Sequence, residues 1–170
     1  TGGSNICIGD KAGGAITTLG SSICIGYKAG GTDNDSSMIG GVGCIIIGHE
    51  AGKILANAST VTDSIFIGRG AGANFGEGSE AGNIGVGAYT FSSIQGNYNI
   101  GLGFSTGSST HVDGDQNILI GKDCEVSANA ATGQVLLGNA ITGVADNTTV
   151  IGNTDIILDA SGDITLDGAN

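Results

Sequence analysis

Apolar and polar positions alternate in a short pattern that recurs along most of the chain. Each copy has an opening residue, an aliphatic residue, a variable residue, a second aliphatic residue and a glycine, as in NICIG at residues 5–9. The nine closing glycines lie on average about 18 residues apart, which is too short for helix-pair repeats and fits one coil of a β-solenoid. The pattern therefore predicts an all-β fold of parallel strands wound into about nine coils. The closing glycines are Gly9, Gly26, Gly48, Gly68, Gly87, Gly103, Gly121, Gly138 and Gly152.

The two aliphatic positions of each copy are predicted to fill the inside of the coil. The position before the glycine is aliphatic in all nine copies, and the position two residues earlier is aliphatic in all but one, where Thr149 stands. Side chains two residues apart on a strand share one face, so both positions belong to the same side. The opening residue is polar in eight of the nine copies and is expected to form hydrogen bonds along the stack of coils.

The variable residue between the two aliphatic positions is then expected to point outward. It is apolar in seven copies and glycine in the other two. Strands that are apolar on both sides are normally buried on both sides, and an exposed apolar row along a solenoid would be a large patch. We therefore expect this face to pack against another copy of the chain. The residues of this predicted interface are Cys7, Cys24, Ile46, Phe66, Leu119, Leu136 and Val150.

Composition removes several functional classes. The 170 residues include 34 glycines, no proline and only 12% charged residues, with a net charge of −11. A nucleic-acid-binding protein needs a basic surface, which this chain lacks. No apolar run is long enough for a transmembrane helix. The sequence begins with Thr1 and shows no signal peptide, so we expect a processed product or part of a longer chain.

The cysteines and histidines predict no metal or cofactor site. Cys7 and Cys24 share a column of consecutive coils, where parallel side chains suit a disulfide poorly, so we interpret them as buried small apolar residues. No C-x-x-C motif and no Cys/His pairing is present. His49 and His111 are expected to be isolated surface residues, and the acidic segment 111–117 is interpreted as a solvated turn because it lacks the last glutamate of a calcium loop.

Aromatic residues cluster between the fourth and sixth copies. The candidate binding residues are Tyr89, Phe91, Tyr98 and Phe104. One interpretation is that these side chains cover a second wall of the coil. The sharper interpretation is a platform for glycans, because aromatic rings stack on the apolar faces of sugars.

The repeat ends after Gly152 and a shorter period begins. Asp155, Asp159, Asp163 and Asp167 recur every four residues around two short apolar runs. We therefore predict a solenoid repeat domain over residues 1–153 and the start of a narrower C-terminal β shaft over residues 154–170.

The sequence N/S-I-x-I-G-x-x-A-G at residues 5–13, 22–30 and 64–72 resembles the head repeats of YadA-like trimeric adhesins and the IG-x-x-A repeats of tailed-phage tail fibres. The segment from Asp155 to Asp167 is similar to repeats of phage fibre shafts, which favours the tail fibre. The resemblance implies a homotrimer in which each chain is a left-handed parallel β-roll packed around a threefold axis. It also implies a location on a virion tail fibre or a cell surface, a host-surface glycan or protein receptor, and contacts with other fibre or tail segments.

We therefore predict a structural and adhesive fibre module that is not an enzyme, and the head of a bacterial trimeric surface adhesin is the alternative. A hexapeptide β-helix acyltransferase would need an aliphatic residue every six positions, and counting from Ile8 reaches Gly14 and Gly20 instead. An ice-binding solenoid would need a ladder of Thr-x-Thr, which the variable column does not contain. A polysaccharide-cleaving tailspike would need paired carboxylates in a groove, which the sequence does not define.

Overall fold

The computed structural model describes residues 3–14, 18–31, 40–53, 60–73, 79–109 and 112–152. Within these ranges the chain forms three-residue β-strands that pair only in parallel, and no helix. The predicted shaft at residues 154–170 and His111 lie outside the described residues. The strands are β1 (Ile6–Ile8), β2 (Thr18–Gly20), β3 (Ile23–Ile25), β4 (Gly40–Val42), β5 (Ile45–Ile47), β6 (Thr60–Thr62), β7 (Ile65–Ile67), β8 (Ser79–Ala81), β9 (Ile84–Val86), β10 (Ile100–Leu102), β11 (Ile118–Ile120), β12 (Val135–Leu137) and β13 (Thr149–Ile151).

The strands stack into two sheets of a β-solenoid. The larger sheet has nine strands in the order β1-β3-β5-β7-β9-β10-β11-β12-β13, and one of them falls on each copy of the sequence repeat. The smaller sheet contains β2-β4-β6-β8. Pairing keeps the repeat in register, as in Cys7 opposite Cys24 and Ile46 opposite Phe66. The prediction of an all-β parallel solenoid is confirmed.

The closing glycine of each repeat is required by the backbone where the strand ends. At Gly9 the φ angle is 127°, a region that side chains disfavour. A Cβ atom at this position would lie 2.6 Å from the carbonyl oxygen of Gly26, the equivalent glycine of the next coil. The turns of successive coils therefore approach so closely that only glycine fits, which explains why the sequence repeats it.

A hydrogen-bonded ladder of buried polar residues follows the start of the strands. The Asn99 side-chain oxygen accepts the backbone N–H of Asn117 at 2.9 Å, and the Asn99 amide donates to the carbonyl of Gly114 at 2.9 Å. Asn83 and Asn117 repeat this arrangement in neighbouring coils. The predicted ladder of opening residues is confirmed, and it satisfies backbone groups that no water reaches.

The side chains of the large sheet point in the opposite directions to those predicted from the sequence: the variable column points into the coil and the aliphatic positions point outward. Cys24, Phe66, Leu119 and Leu136 are 0% exposed and Ile46 is 6% exposed, so this column lies inside the coil and not at an interface. Val150 is partly buried and packs against the same core. Cys7 belongs to this column but is exposed, because β1 is an edge strand of the sheet.

The interior of the coil is narrow, and this explains the inversion. After each closing glycine the chain turns inward, where Ala29, Ala51 and Ala71 are fully buried beside the column of the large sheet. Such a coil has room for one row of side chains from each wall. A period of two identifies which residues share a face, but it leaves open whether that face points inward or outward.

Candidate functional site

An apolar surface runs along the outside of the large sheet. Ile6 and Ile8 are 51% and 58% exposed, Leu102 and Ile120 are 36% and 38% exposed, and the other members are at least partly accessible. We call this surface the aliphatic face. Its members are Ile6, Ile8, Ile23, Ile25, Ile45, Ile47, Ile65, Ile67, Ile84, Val86, Ile100, Leu102, Ile118, Ile120, Val135, Leu137 and Ile151.

The aliphatic face is continuous because the strand register places the aliphatic residues of neighbouring strands opposite each other. Ile23 lies opposite Ile45, and Ile25 lies opposite Ile47, with the same pairing in the strands that follow. The face contains no charged residue, and Thr149 is its one polar position. Strands in a sheet are about 4.8 Å apart, so nine strands extend over about 38 Å. An apolar strip of this length on a protein surface is typical of a surface that packs against protein.

Rings and cations stack at the corner that follows the aliphatic face. The two residues after each closing glycine lie above their counterparts in the preceding coil, because the N–H of Glu50 donates to the carbonyl of Tyr27 at 2.8 Å and similar bonds continue along the corner. The rings of Tyr27 and His49 are 5.1 Å apart, and Lys28 Nζ lies 5.1 Å from the centre of the Tyr27 ring. His49, predicted to be isolated, is therefore part of a stack.

The same corner continues into the next coils. The Arg69 guanidinium lies 5.5 Å from the centre of the Tyr89 ring, and the Tyr89 and Phe104 rings meet edge to face at 6.1 Å. Tyr89 rests over Gly70, where a Cβ atom would come within 3.0 Å of the ring. We call this set the corner ladder, and its members are Tyr27, Lys28, His49, Arg69, Tyr89 and Phe104.

The four aromatic residues of the predicted platform do not form one surface. Tyr89 and Phe104 contact each other on the corner ladder. Tyr98 is 63% exposed but lies at another corner, immediately before the buried Asn99 and against Gly82. Two of the four predicted residues therefore lie together, and Tyr27 and Arg69 belong to the same set although they were not predicted. The signal was present, since both residues follow a closing glycine directly.

Phe91 is excluded from the platform because it is 0% exposed. Its ring fills the interior beside Gly85 and Gly101, the two glycines of the inward column. Without a side chain at these positions, the coil would contain a cavity, and the ring of Phe91 occupies that volume. Phe91 is a core residue, as the interpretation of a covered wall expects.

The acidic turn at residues 112–116 has a structural role. The Asp115 carboxylate accepts the backbone N–H of Asn97 at 2.7 Å and so ties one coil to the previous one. Asp113 is exposed. Among the described residues, no group of three or more His, Cys, Asp or Glu side chains is placed to hold a metal ion.

Three of the four cysteines are buried thiols, and all four are free. Burial raises the pKa of Cys24 to about 12 and also raises the pKa values of Cys44 and Cys124. A thiol that keeps its proton is a poor nucleophile and a poor metal ligand. The interpretation as buried apolar residues is confirmed for Cys24 and is wrong for Cys7, which is exposed.

No family model, curated protein or solved structure matches the chain. The part of the chain that the structure describes contains no helix of the length and apolarity that a membrane crossing requires. The aliphatic face and the corner ladder are the two surfaces of the described residues from which a function can be inferred.

Proposed function

We propose that this chain is a structural and adhesive module of an extracellular fibre, in which three copies pack their aliphatic faces around a common threefold axis. The aliphatic face is the observation that carries this proposal. It is long, continuous and uncharged, and it repeats at the spacing of the coils. The number three and the left-handed winding of the β-roll come from the resemblance of the repeat to trimeric adhesins and tail fibres.

The energetics favour assembly through this face. Removing about 40 Å² of apolar surface from water stabilises a complex by about 1 kcal/mol. If each of the 17 aliphatic side chains on one copy loses about that area, their burial contributes about 17 kcal/mol, which exceeds the roughly 4–15 kcal/mol that association costs. Parallel packing of identical faces about a closed rotation axis leaves no copy with an unpaired apolar strip.

The fibre would act through stiffness and repetition and not through catalysis. Stacked coils with a hydrogen-bonded ladder form a rigid support, and three copies present each surface feature three times. Many weak identical contacts then strengthen attachment through effective concentration. The partners in this proposal are two further copies of the chain, adjoining fibre or tail segments, and a glycan or protein receptor on a host surface.

A phage tail fibre is the location that we favour, because the segment after Gly152 is similar to fibre-shaft repeats. A bacterial trimeric adhesin head is the second candidate, and the repeat at residues 5–13 and 22–30 resembles it equally well. An acyltransferase of the hexapeptide type is disfavoured, because the repeat lacks its six-residue spacing.

The mass of the purified chain in solution tests the proposal. One copy has a mass of 16.5 kDa, so light scattering at micromolar concentration should give about 50 kDa for the intact assembly and the single-chain mass after denaturation. A mass of about 33 kDa would indicate a dimer, which is consistent with packing through the aliphatic face but excludes the threefold axis. A soluble monomer at all concentrations would contradict the assembly and, with it, the fibre.

A further inference from the structure

We propose that neighbouring copies also contact each other along the two long edges of the aliphatic face. Asp63 of one copy pairs with Arg69 of its neighbour, and Tyr98 of one copy packs against Phe104 of its neighbour. This inference rests on the proposed packing of aliphatic faces, and it adds a second contact surface whose partner is the adjacent copy of this chain. These contacts set the direction in which the copies point and the height at which they meet.

Each coil has one residue at each edge of the aliphatic face. The residue immediately before the opening residue of a repeat lies on what we call the leading edge, and the residue immediately after the closing glycine lies on the trailing edge. These residues are Asp63 and Arg69 in the fourth coil, and Tyr98 and Phe104 in the sixth coil. All four are exposed, so a neighbouring copy can reach them.

The leading edge is regular because its residues make the same turn in each coil. Asp63 and Tyr98 have φ angles of 49° and 58°, in the left-handed region. The N–H of each donates to a carbonyl of the preceding coil, at 2.8 Å for Asp63 and 2.9 Å for Tyr98. The Asp63 carboxylate lies over Gly43 and the Tyr98 ring lies over Gly82, which have no side chain in the way. Both side chains are therefore supported by the coil before, which lowers the entropy cost of a contact.

The trailing edge forms part of the corner ladder, and its side chains are held in place as well. The Arg69 guanidinium lies 5.5 Å from the centre of the Tyr89 ring, and the Phe104 ring meets the same ring edge to face. A guanidinium has five N–H donors, so contact with one ring leaves donors for a carboxylate. Arg69 is therefore positioned by Tyr89 and still able to form an ion pair.

Rotational symmetry brings the two edges together. Around a closed axis parallel to the solenoid, the trailing edge of one copy lies beside the leading edge of the next. Rotation leaves the height along the axis unchanged, so each coil meets the same coil of its neighbour. Asp63 and Arg69 flank β7, and Tyr98 and Phe104 flank β10. The strand keeps the two residues of each pair apart within one copy, so they can meet only between copies.

The residues of the two edges match coil by coil. Among the described coils, Asp63 is the only charged residue of the leading edge, and its coil is the one with Arg69 on the trailing edge. Tyr98 is the only aromatic residue of the leading edge, and its coil has Phe104 on the trailing edge. The coil between them has a glycine at one edge and an alanine at the other. Charge, ring and size are therefore complementary in three consecutive coils.

The match depends on the axial position of the copies. A shift by one coil would place Asp63 opposite His49 or Ala88, and Tyr98 opposite Ala88 or Lys122, so both matched pairs would be lost. Edge residues form the rim of an interface whose centre is the aliphatic face. Contacts at a rim stay close to water, so they discriminate against wrong arrangements more than they add affinity.

Cross-linking of the full chain with a short bismaleimide tests the aromatic contact. All samples carry Cys7→Ser, which removes the exposed native thiol. Tyr98→Cys combined with Phe104→Cys should give covalent trimers of about 50 kDa on a denaturing gel and nothing larger, because a ring of three closes. Either substitution alone should give no link. Tyr98→Cys combined with Tyr27→Cys is the matched control, since four coil spacings, about 19 Å, separate those sites along the axis.

Charge reversal tests the ion pair through different residues. Asp63→Arg and Arg69→Asp should each raise the apparent dissociation constant of the assembly about tenfold, measured by light scattering over a concentration series. The double variant restores opposite charges and should return the constant to within about threefold of the parent value. Asp113→Arg makes the same change of charge at an exposed residue that belongs to neither edge, and it should leave the constant unchanged.

The mass of every sample is measured alongside, so that the two proposals fail separately. A stable trimer in which the test pair links no better than the control pair would overturn the aromatic contact, and charge reversals that do not rescue each other would overturn the ion pair. A soluble monomer would contradict the assembly itself. Covalent dimers in a dimeric assembly would support the edges and contradict the threefold axis, and links beyond three chains would exclude a closed ring. If Tyr98→Cys fails to fold, Gln116→Cys combined with Lys122→Cys, at the exposed edges of the seventh coil, replaces it.

Discussion

The ring of Phe91 occupies the space that the missing side chain of Gly101 leaves inside the coil. A Cβ atom at Gly101 would lie 2.8 Å from two carbon atoms of this ring. The same ring lies beside Gly85, in the coil before. A large residue from one wall thus compensates for two glycines in another, which keeps the interior filled.

This relationship predicts a specific dependence of stability on both residues. Phe91→Ala should lower the free energy of unfolding by about 3–5 kcal/mol through an internal cavity, and Gly101→Ala should lower it by about 1–3 kcal/mol through overpacking. Urea denaturation measures both, with the exposed Phe104→Ala as the control that should cost less than about 1 kcal/mol.

The double variant distinguishes this explanation from two unrelated losses. In the Phe91→Ala background the added methyl group of Gly101→Ala no longer meets the ring, so its cost should fall to what the remaining contact with the Thr90 methyl carbon, 2.8 Å away, imposes. Strictly additive losses would show that the two residues do not share one volume.

The parallel solenoid could be predicted from the sequence because each copy of the repeat supplies one strand and the turn that follows it. The spacing of glycines such as Gly26 and Gly48 fixes one strand per coil, and parallel register follows from stacking identical copies. The direction of the strand faces could not be derived from alternation alone, since both faces are apolar. The small residues Ala29, Ala51 and Ala71, three positions after the closing glycines, are the signal of a narrow interior that accepts one row from the sheet.

The corner ladder was only partly predictable for a related reason. Tyr27 and His49 are 22 positions apart in the sequence, and Arg69 and Tyr89 are 20 apart, yet each pair is in contact. A column alignment of the residues after each closing glycine places them near each other. Whether their rings and cations touch depends on side-chain rotamers and on positions without a side chain, such as Gly70 beneath the Tyr89 ring. A sequence pattern does not define these rotamers.

The buried asparagine ladder should contribute strongly to stability. Asn99→Ala leaves the N–H of Asn117 and the carbonyl of Gly114 without the side-chain partners that they have in the structure. An unsatisfied buried polar group costs about 1–3 kcal/mol, so we expect a loss of about 2–5 kcal/mol in the free energy of unfolding. Thermal and urea denaturation measure it, and the exposed Asn129→Ala is the matched control. A loss below about 1 kcal/mol would mean that water or backbone movement replaces these bonds.

A charge on the aliphatic face should separate the copies. Ile45→Lys places an ammonium in the middle of the proposed interface, where three copies would bring three like charges together. We expect the apparent dissociation constant of the assembly to rise by about 100-fold or more, measured by sedimentation or light scattering over a concentration series. Thr60→Lys adds the same charge at an exposed position of the smaller sheet and should leave the mass unchanged. An unaltered mass for Ile45→Lys would exclude the aliphatic face as the interface.

The cysteines should differ sharply in reactivity. Cys7 is exposed, whereas Cys24, which is paired with it in register, is fully buried, as is Cys124. Mass spectrometry after brief treatment with a maleimide at about pH 8 should find the label on Cys7, and labelling of the buried thiols should require denaturation. Labelling of Cys24 at a rate close to that of Cys7 would indicate that the first coils open on the timescale of the reaction.

Alkaline pH should destabilise the solenoid through its buried thiols. Burial raises the pKa of Cys24 from the ordinary value of 9.0 to about 12, because the interior disfavours the thiolate. Between these two values the unfolded chain loses the Cys24 proton while the folded chain keeps it. The unfolded state therefore binds fewer protons, and the free energy of unfolding decreases as pH rises from about 9 towards 12. Below about pH 9 this contribution to stability is complete, and the raised pKa values of Cys44 and Cys124 act in the same direction.

Comparison of two variants isolates the Cys24 contribution from that of other groups that titrate at high pH. In Cys24→Ala the free energy of unfolding, measured in urea at about pH 8, 9.5 and 10.5, should fall less steeply with pH than in the parent chain. Val61→Ala removes a buried side chain that does not titrate, so it should lower the free energy of unfolding by a similar amount at every pH. Equal slopes for Cys24→Ala and the parent would show that the Cys24 thiol ionises as readily in the folded coil as in the unfolded chain. In that case the interior of the first coils would be open to water.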